Sequence, residues 1–98
     1  MKTGQWLLCY DIADPRRLAR VHRIMQKEGI ALQKSVFKLV VTEGRLSALV
    51  NQLTSEIDVQ QDDIRIYRLH RNAGHHKLGK PAYPKGIMLF SNTTDLLH

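Results

Sequence analysis

An α+β, ferredoxin-like β-α-β-β-α-β sandwich with one additional C-terminal strand is the fold class that the sequence predicts. Short aromatic and aliphatic runs alternate with segments whose apolar residues recur at helical spacing. The strands interleave with two helices, which favours a sheet layered against helices. The chain has 98 residues, 43% of them hydrophobic and 24% charged, which suits one domain with a small core. Helices on one sheet face would leave the other face bare unless a second copy covers it, so a two-fold homodimer is expected.

Residues 5 to 12, Gln-Trp-Leu-Leu-Cys-Tyr-Asp-Ile, read as a buried first strand. Asp14-Pro15 starts a helix: the aspartate caps free N–H groups, and proline needs no donor at the first helical position. Leu18, Val21, Ile24 and Met25 then form an apolar stripe. Gly29 ends the helix, since glycine takes the left-handed conformation cheaply.

Residues 31 to 41 are extended, with Val36, Phe37, Val40 and Val41 favouring strand. They fit one bent strand or a tight hairpin equally well. Thr42 caps a second helix, whose stripe is Leu46, Leu49, Val50, Leu53 and Ile57. Asp62-Asp63 marks a turn, and Ile64 to Leu69 is the next strand. Residues 1–69 form the core. Residues 70–98 form a basic arm with a short strand at about 86–90, expected to add to the partner's sheet, and a frayed tail.

The net charge is +6, and its placement is uneven. Arg16, Arg17, Arg20 and Arg23 cluster early, and Arg65, Arg68 and Arg71 cluster late, while Glu56, Asp58, Asp62 and Asp63 lie between. Segregated cations suit a phosphate backbone, so Arg16, Arg17, Arg20, Arg65, Arg68 and Arg71 are the candidate nucleic-acid contacts. No apolar run is long enough to span a membrane, and no signal-peptide pattern is present. A lone cysteine, Cys9, agrees with a cytoplasmic location.

Asp11 is the candidate catalytic residue. Trp6, Leu8, Tyr10 and Ile12 share one strand face, and Leu7, Cys9 and Asp11 share the other. A carboxylate on a mostly apolar strand needs a cation, a donor or water. Capping of the strand–helix turn remains open as an alternative role. His75-His76 lacks the spacing of a zinc site, Gly74 to Gly79 lacks the Lys-Ser/Thr ending of a phosphate loop, and Cys9 is a small core residue rather than a nucleophile.

Three blocks carry a resemblance: Tyr10-Asp11-Ile12-Ala13-Asp14-Pro15-Arg16-Arg17-Leu18-Ala19-Arg20-Val21, then Gln33-Lys34-Ser35-Val36-Phe37, then Asp63-Ile64-Arg65-Ile66-Tyr67. In this order they resemble the second CRISPR-associated protein family, the small partner of the CRISPR integrase. The resemblance implies a symmetric homodimer in which Asp11 meets its mate around a magnesium ion, with manganese as an alternative. It implies metal-dependent cleavage of RNA or DNA, or a structural bridge that holds DNA for the integrase. It matches Arg17 to the family's helix arginine, and gives Tyr10, Ser35 and Phe37 supporting places. The chain departs from the family pattern at Ile30-Ala31-Leu32-Gln33, where many members carry an arginine, and at Lys38, where many carry glutamate. A toxin-type ribonuclease of a toxin–antitoxin pair would share the fold, and fold alone does not separate the three functions.

Overall fold

A computed structural model describes residues 2–69 and 86–90. Strand β1 (Thr3–Asp11) leads into helix α1 (Pro15–Glu28), then β2 (Ile30–Gln33), β3 (Val36–Thr42), α2 (Glu43–Thr54), β4 (Asp63–Leu69) and β5 (Ile87–Phe90). Residues 31 to 41 are therefore a hairpin with a register shift between Ala31 and Gln33. The five strands lie in the order β2-β3-β1-β4-β5. β1 is central and pairs antiparallel with both β3 and β4.

The local signals act as the residue types dictate. The Asp14 side chain accepts hydrogen bonds from the N–H groups of Arg16 and Arg17, with Pro15 opening the helix. Thr42 does the same for Arg45 at α2. Alternation along β1 sends Trp6, Leu8 and Tyr10 to the helix side. There they join Phe37, Leu39, Ile64 and Ile66 from the neighbouring strands and Val21, Met25, Leu46, Leu49, Val50 and Leu53 from the helices in one core. Both helices thus lie on one face of the sheet. None of the described helices is long and apolar enough to cross a membrane.

Four expectations are corrected. Gly29 is extended (φ −145°), not left-handed. Its small size is what matters, because a Cβ there would lie 2.6 Å from the Lys38 carbonyl oxygen. Leu18 is exposed rather than core, lining an open groove with Pro15, Ala19 and His22. Ile57 packs on the core from the turn after α2, not from the helix. Finally, β5 joins the chain's own sheet, parallel to β4, where it covers the hydrogen-bonding edge that β4 turns away from β1. Gly86 has φ +93°, a backbone conformation that favours glycine, and its carbonyl accepts from the Ile64 N–H at 2.8 Å. The expected arm at 70–85, with Arg71, His75 and His76, and the tail at 91–98 lie outside the described residues.

Candidate functional site

Asp11 is the last residue of β1 and projects from the face opposite the helices. The register of β1 and β4 puts Asp63 directly across from it. Both are exposed, and like charges directly opposite on adjacent strands repel. Among the described residues neither side chain has a hydrogen bond or ion pair, and the capping role weighed for Asp11 belongs to Asp14 instead. The two carboxylates line an open cleft of about 200 Å³ with Cys9, Tyr10 and Arg65. Carboxylate oxygens suit a hard divalent cation that keeps several waters. Among the described residues this pair stands without further metal-ligating groups, since no cluster of three or more His, Cys, Asp or Glu placed to hold a metal occurs there. Burial pushes the Cys9 thiol up, against the opposing charge of Arg65, which disfavours a nucleophilic thiolate.

The cleft is built on a charged anchor that the sequence pattern does not announce. Asp62, read as a turn residue, is 2% exposed. It accepts from the Ala13 N–H at 2.9 Å and the Asp58 N–H at 2.8 Å. Arg17 donates to the same carboxylate from Nε at 2.9 Å and Nη2 at 3.2 Å. Burial alone would push the Asp62 carboxyl up, but the hydrogen bonds from Arg17, Asp58 and Ala13 outweigh it and hold the group below the usual carboxylate range. The same hydrogen bond raises Arg17 further above its ordinary value.

The other candidate arginines divide by location. Arg65 is exposed on the Asp11 face, opposite Cys9, and its side chain makes no ion pair among the described residues. Arg16 is also exposed and unpaired on the same terms. Arg20 pairs with Glu56 at 2.9 Å. Arg68 lies on the helix side, 5.5 Å from the centre of the Trp6 ring, and pairs with Glu43 at 3.2 Å. Arg71 lies outside the described residues.

Tyr10, Ser35 and Phe37 come together beneath the site. The Tyr10 hydroxyl lies 2.8 Å from His22 Nδ1 and 3.3 Å from the Lys34 carbonyl oxygen, and the Tyr10 N–H donates to the Ser35 carbonyl at 3.1 Å. Phe37 is fully buried, stacked on Tyr10 and edge-on to His22. These contacts fasten the end of β1 to the β2–β3 turn. They make the three residues supports for the strand that carries Asp11.

Comparison with known proteins adds to this geometry. A family model described as "CRISPR associated protein Cas2" matches residues 5–75. The chain is 38% identical over 84 residues to the CRISPR-associated endoribonuclease Cas2 1 of Nitrosomonas europaea, covering 86% of this chain and 80% of that one. It is 38% identical over 71 residues to the CRISPR-associated endonuclease Cas2 of Halalkalibacterium halodurans, covering 67% and 74%. The crystal structure of Streptococcus pyogenes Cas2 superposes with a TM-score of 0.64 at 33% identity, covering 69% of this chain and 88% of that one.

Proposed function

Because the chain belongs to the CRISPR-associated protein Cas2 family, we propose that it serves CRISPR spacer acquisition in the cytoplasm. It acts as a two-fold homodimer, binds nucleic acid, and cleaves RNA or DNA phosphodiesters through Asp11. The observation that carries this reading is Asp11 itself: an exposed carboxylate with no partner among the described residues, facing Asp63 on the sheet face without helices. The names endoribonuclease and endonuclease borne by the relatives in Nitrosomonas and Halalkalibacterium support the same chemistry.

The donor set fits magnesium or manganese, with Asp11 as ligand and Asp63 beside it. A bound ion supplies a water activated for attack and charge stabilisation on phosphorus. Arg65 holds the phosphate at the cleft mouth. Among the described residues one chain brings only two carboxylates together, so in this reading a second copy completes the site. The helix-free face supports that copy's docking: Val40 is 50% exposed and Met88 38%, among half-buried Leu7, Cys9 and Val36. The CRISPR integrase is the partner to which the dimer presents bound DNA.

Sedimentation velocity with a labelled duplex tests assembly and binding together. The protein alone is expected to sediment as a dimer at micromolar concentration. The complex is expected to weaken linearly in log–log salt, as displaced counterions require. Arg65→Ala is expected to reduce that slope by about one for each phosphate that Arg65 neutralises. A monomer would remove the shared site, and a slope unchanged by Arg65→Ala would move the nucleic-acid surface elsewhere.

A further inference from the structure

We propose that Asp62 and Arg17 are the positioning pair of the Asp11 site, and that Arg17 serves the reaction through Asp62 rather than by touching phosphate. The inference rests on the metal-site reading above and extends it to two residues outside the cleft.

The carboxylate of Asp62 ties together three separate stretches of chain. Its Oδ1 accepts from the Ala13 N–H and from Arg17 Nη2, and its Oδ2 accepts from Arg17 Nε and the Asp58 N–H. Ala13 lies two residues after Asp11, and Asp63 follows Asp62 directly. The anchor therefore fixes the backbone on both sides of the facing carboxylates. With four donors upon it, Asp62 has little capacity left for a metal. Arg17 spends two guanidinium nitrogens on Asp62, and its Nη2 also reaches Gln61 Oε1 at 3.4 Å. Its side chain is 20% exposed, against 50% for Arg20 in its pair with Glu56. An exposed pair such as Arg20–Glu56 is worth little and yields readily to phosphate. A buried carboxylate left without its guanidinium is strongly disfavoured, so Arg17 stays where it is. Displacing a reacting group by about 1 Å can cost on the order of 10²-fold in rate, so an anchor two residues from Asp11 governs the site without entering it.

The test compares Asp62→Asn and Arg17→Lys with the wild-type full chain. Three quantities are read: Mn²⁺ affinity by electron paramagnetic resonance, duplex affinity and its salt slope in EDTA, and hydrogen exchange at the Ala13 amide. Both variants are expected to weaken Mn²⁺ binding by on the order of 10-fold or more, the usual range for residues that orient a ligand. The double variant should be no worse than the weaker single one, because the two residues act as one unit. Duplex affinity and salt slope in EDTA should stay at the wild-type values. Tighter duplex binding by Asp62→Asn, with a steeper slope, would show Arg17 to be a phosphate contact released from storage and would overturn the proposal. So would lower melting temperatures with Mn²⁺ affinity and Ala13 exchange unchanged, which would mark the pair as structural only. If Arg17→Lys alone folds, its Mn²⁺ affinity and Ala13 exchange decide the matter. A wild-type protein with no Mn²⁺ affinity would sink the metal reading itself. Ala13 exchange then decides positioning separately, rising in the variants if Asp62 holds that loop and staying at the wild-type rate if it does not.

Discussion

Asp11→Ala is expected to lower divalent-dependent cleavage by at least about 10²-fold, the loss typical of one preorganised electrostatic group, while leaving the fold intact. Asp11 is exposed and makes no hydrogen bond among the described residues, so its removal leaves no buried partner stranded. The residue directly opposite it on β4 is Asp63, and opposed like charges destabilise a strand pair. The variant should therefore melt slightly higher than wild type without metal, by a few tenths of a kcal/mol up to about 1 kcal/mol. It should also lose any shift of melting temperature with magnesium. Parallel melts and cleavage assays, with and without magnesium, check both effects. A variant that melts lower, keeps metal-dependent cleavage and responds to magnesium as before would make Asp11 an ordinary structural residue. Spacer uptake that survives when cleavage is gone would instead locate the biological role in holding DNA.

Phe37→Ala is expected to cost about 3–5 kcal/mol, as for other large-to-small changes of buried aromatic residues. The ring is fully buried. Its centroid lies 6.2 Å from Tyr10 and 5.7 Å from His22, within the range where aromatic pairs add to area burial. A cavity here also loosens the contacts by which Tyr10 holds the β2–β3 turn. A small domain has only about 5–15 kcal/mol in total, so the melting temperature should fall by on the order of 15–30 °C. Phe37→Leu should recover much of the loss. Denaturant titration of the three proteins checks the order, and a loss below about 1 kcal/mol would mean that the cavity refills.

The parts of the fold that short-range chemistry decides were legible in the sequence. Asp14-Pro15 and Thr42 cap their helices, and strict alternation placed Trp6, Leu8 and Tyr10 inside with Asp11 outside. What depends on distant partners was not legible. Asp62 resembled a turn residue because its donors at Ala13 and Arg17 lie 49 and 45 positions away. Asp63 could not be matched with Asp11 before the β1–β4 register was known. Arg17 and Arg20 look alike in a basic helix, yet one meets a buried carboxylate and the other an exposed one. The hairpin was ambiguous because Lys34-Ser35 carries none of the glycine or asparagine that marks a tight turn. One signal was available in hindsight: two adjacent aspartates before an apolar strand are more acid than a turn requires.

The central place of β1 has a kinetic consequence. Its partners lie later in the chain, Cys9 pairing with Val36 and Gln5 with Leu69. One edge of this apolar segment thus waits for β3 and the other for β4, nearly the full length of the folding unit away. Closing such long loops slows folding, and unpaired strand edges invite aggregation meanwhile. Pulse-labelled hydrogen exchange should find the β2–β3 hairpin protected before β1. Simultaneous protection would mean that the sheet closes in a single step. With the hairpin protected first, the strand that carries Asp11 is among the last to become rigid, so the proposed site forms only once the sheet around it is assembled.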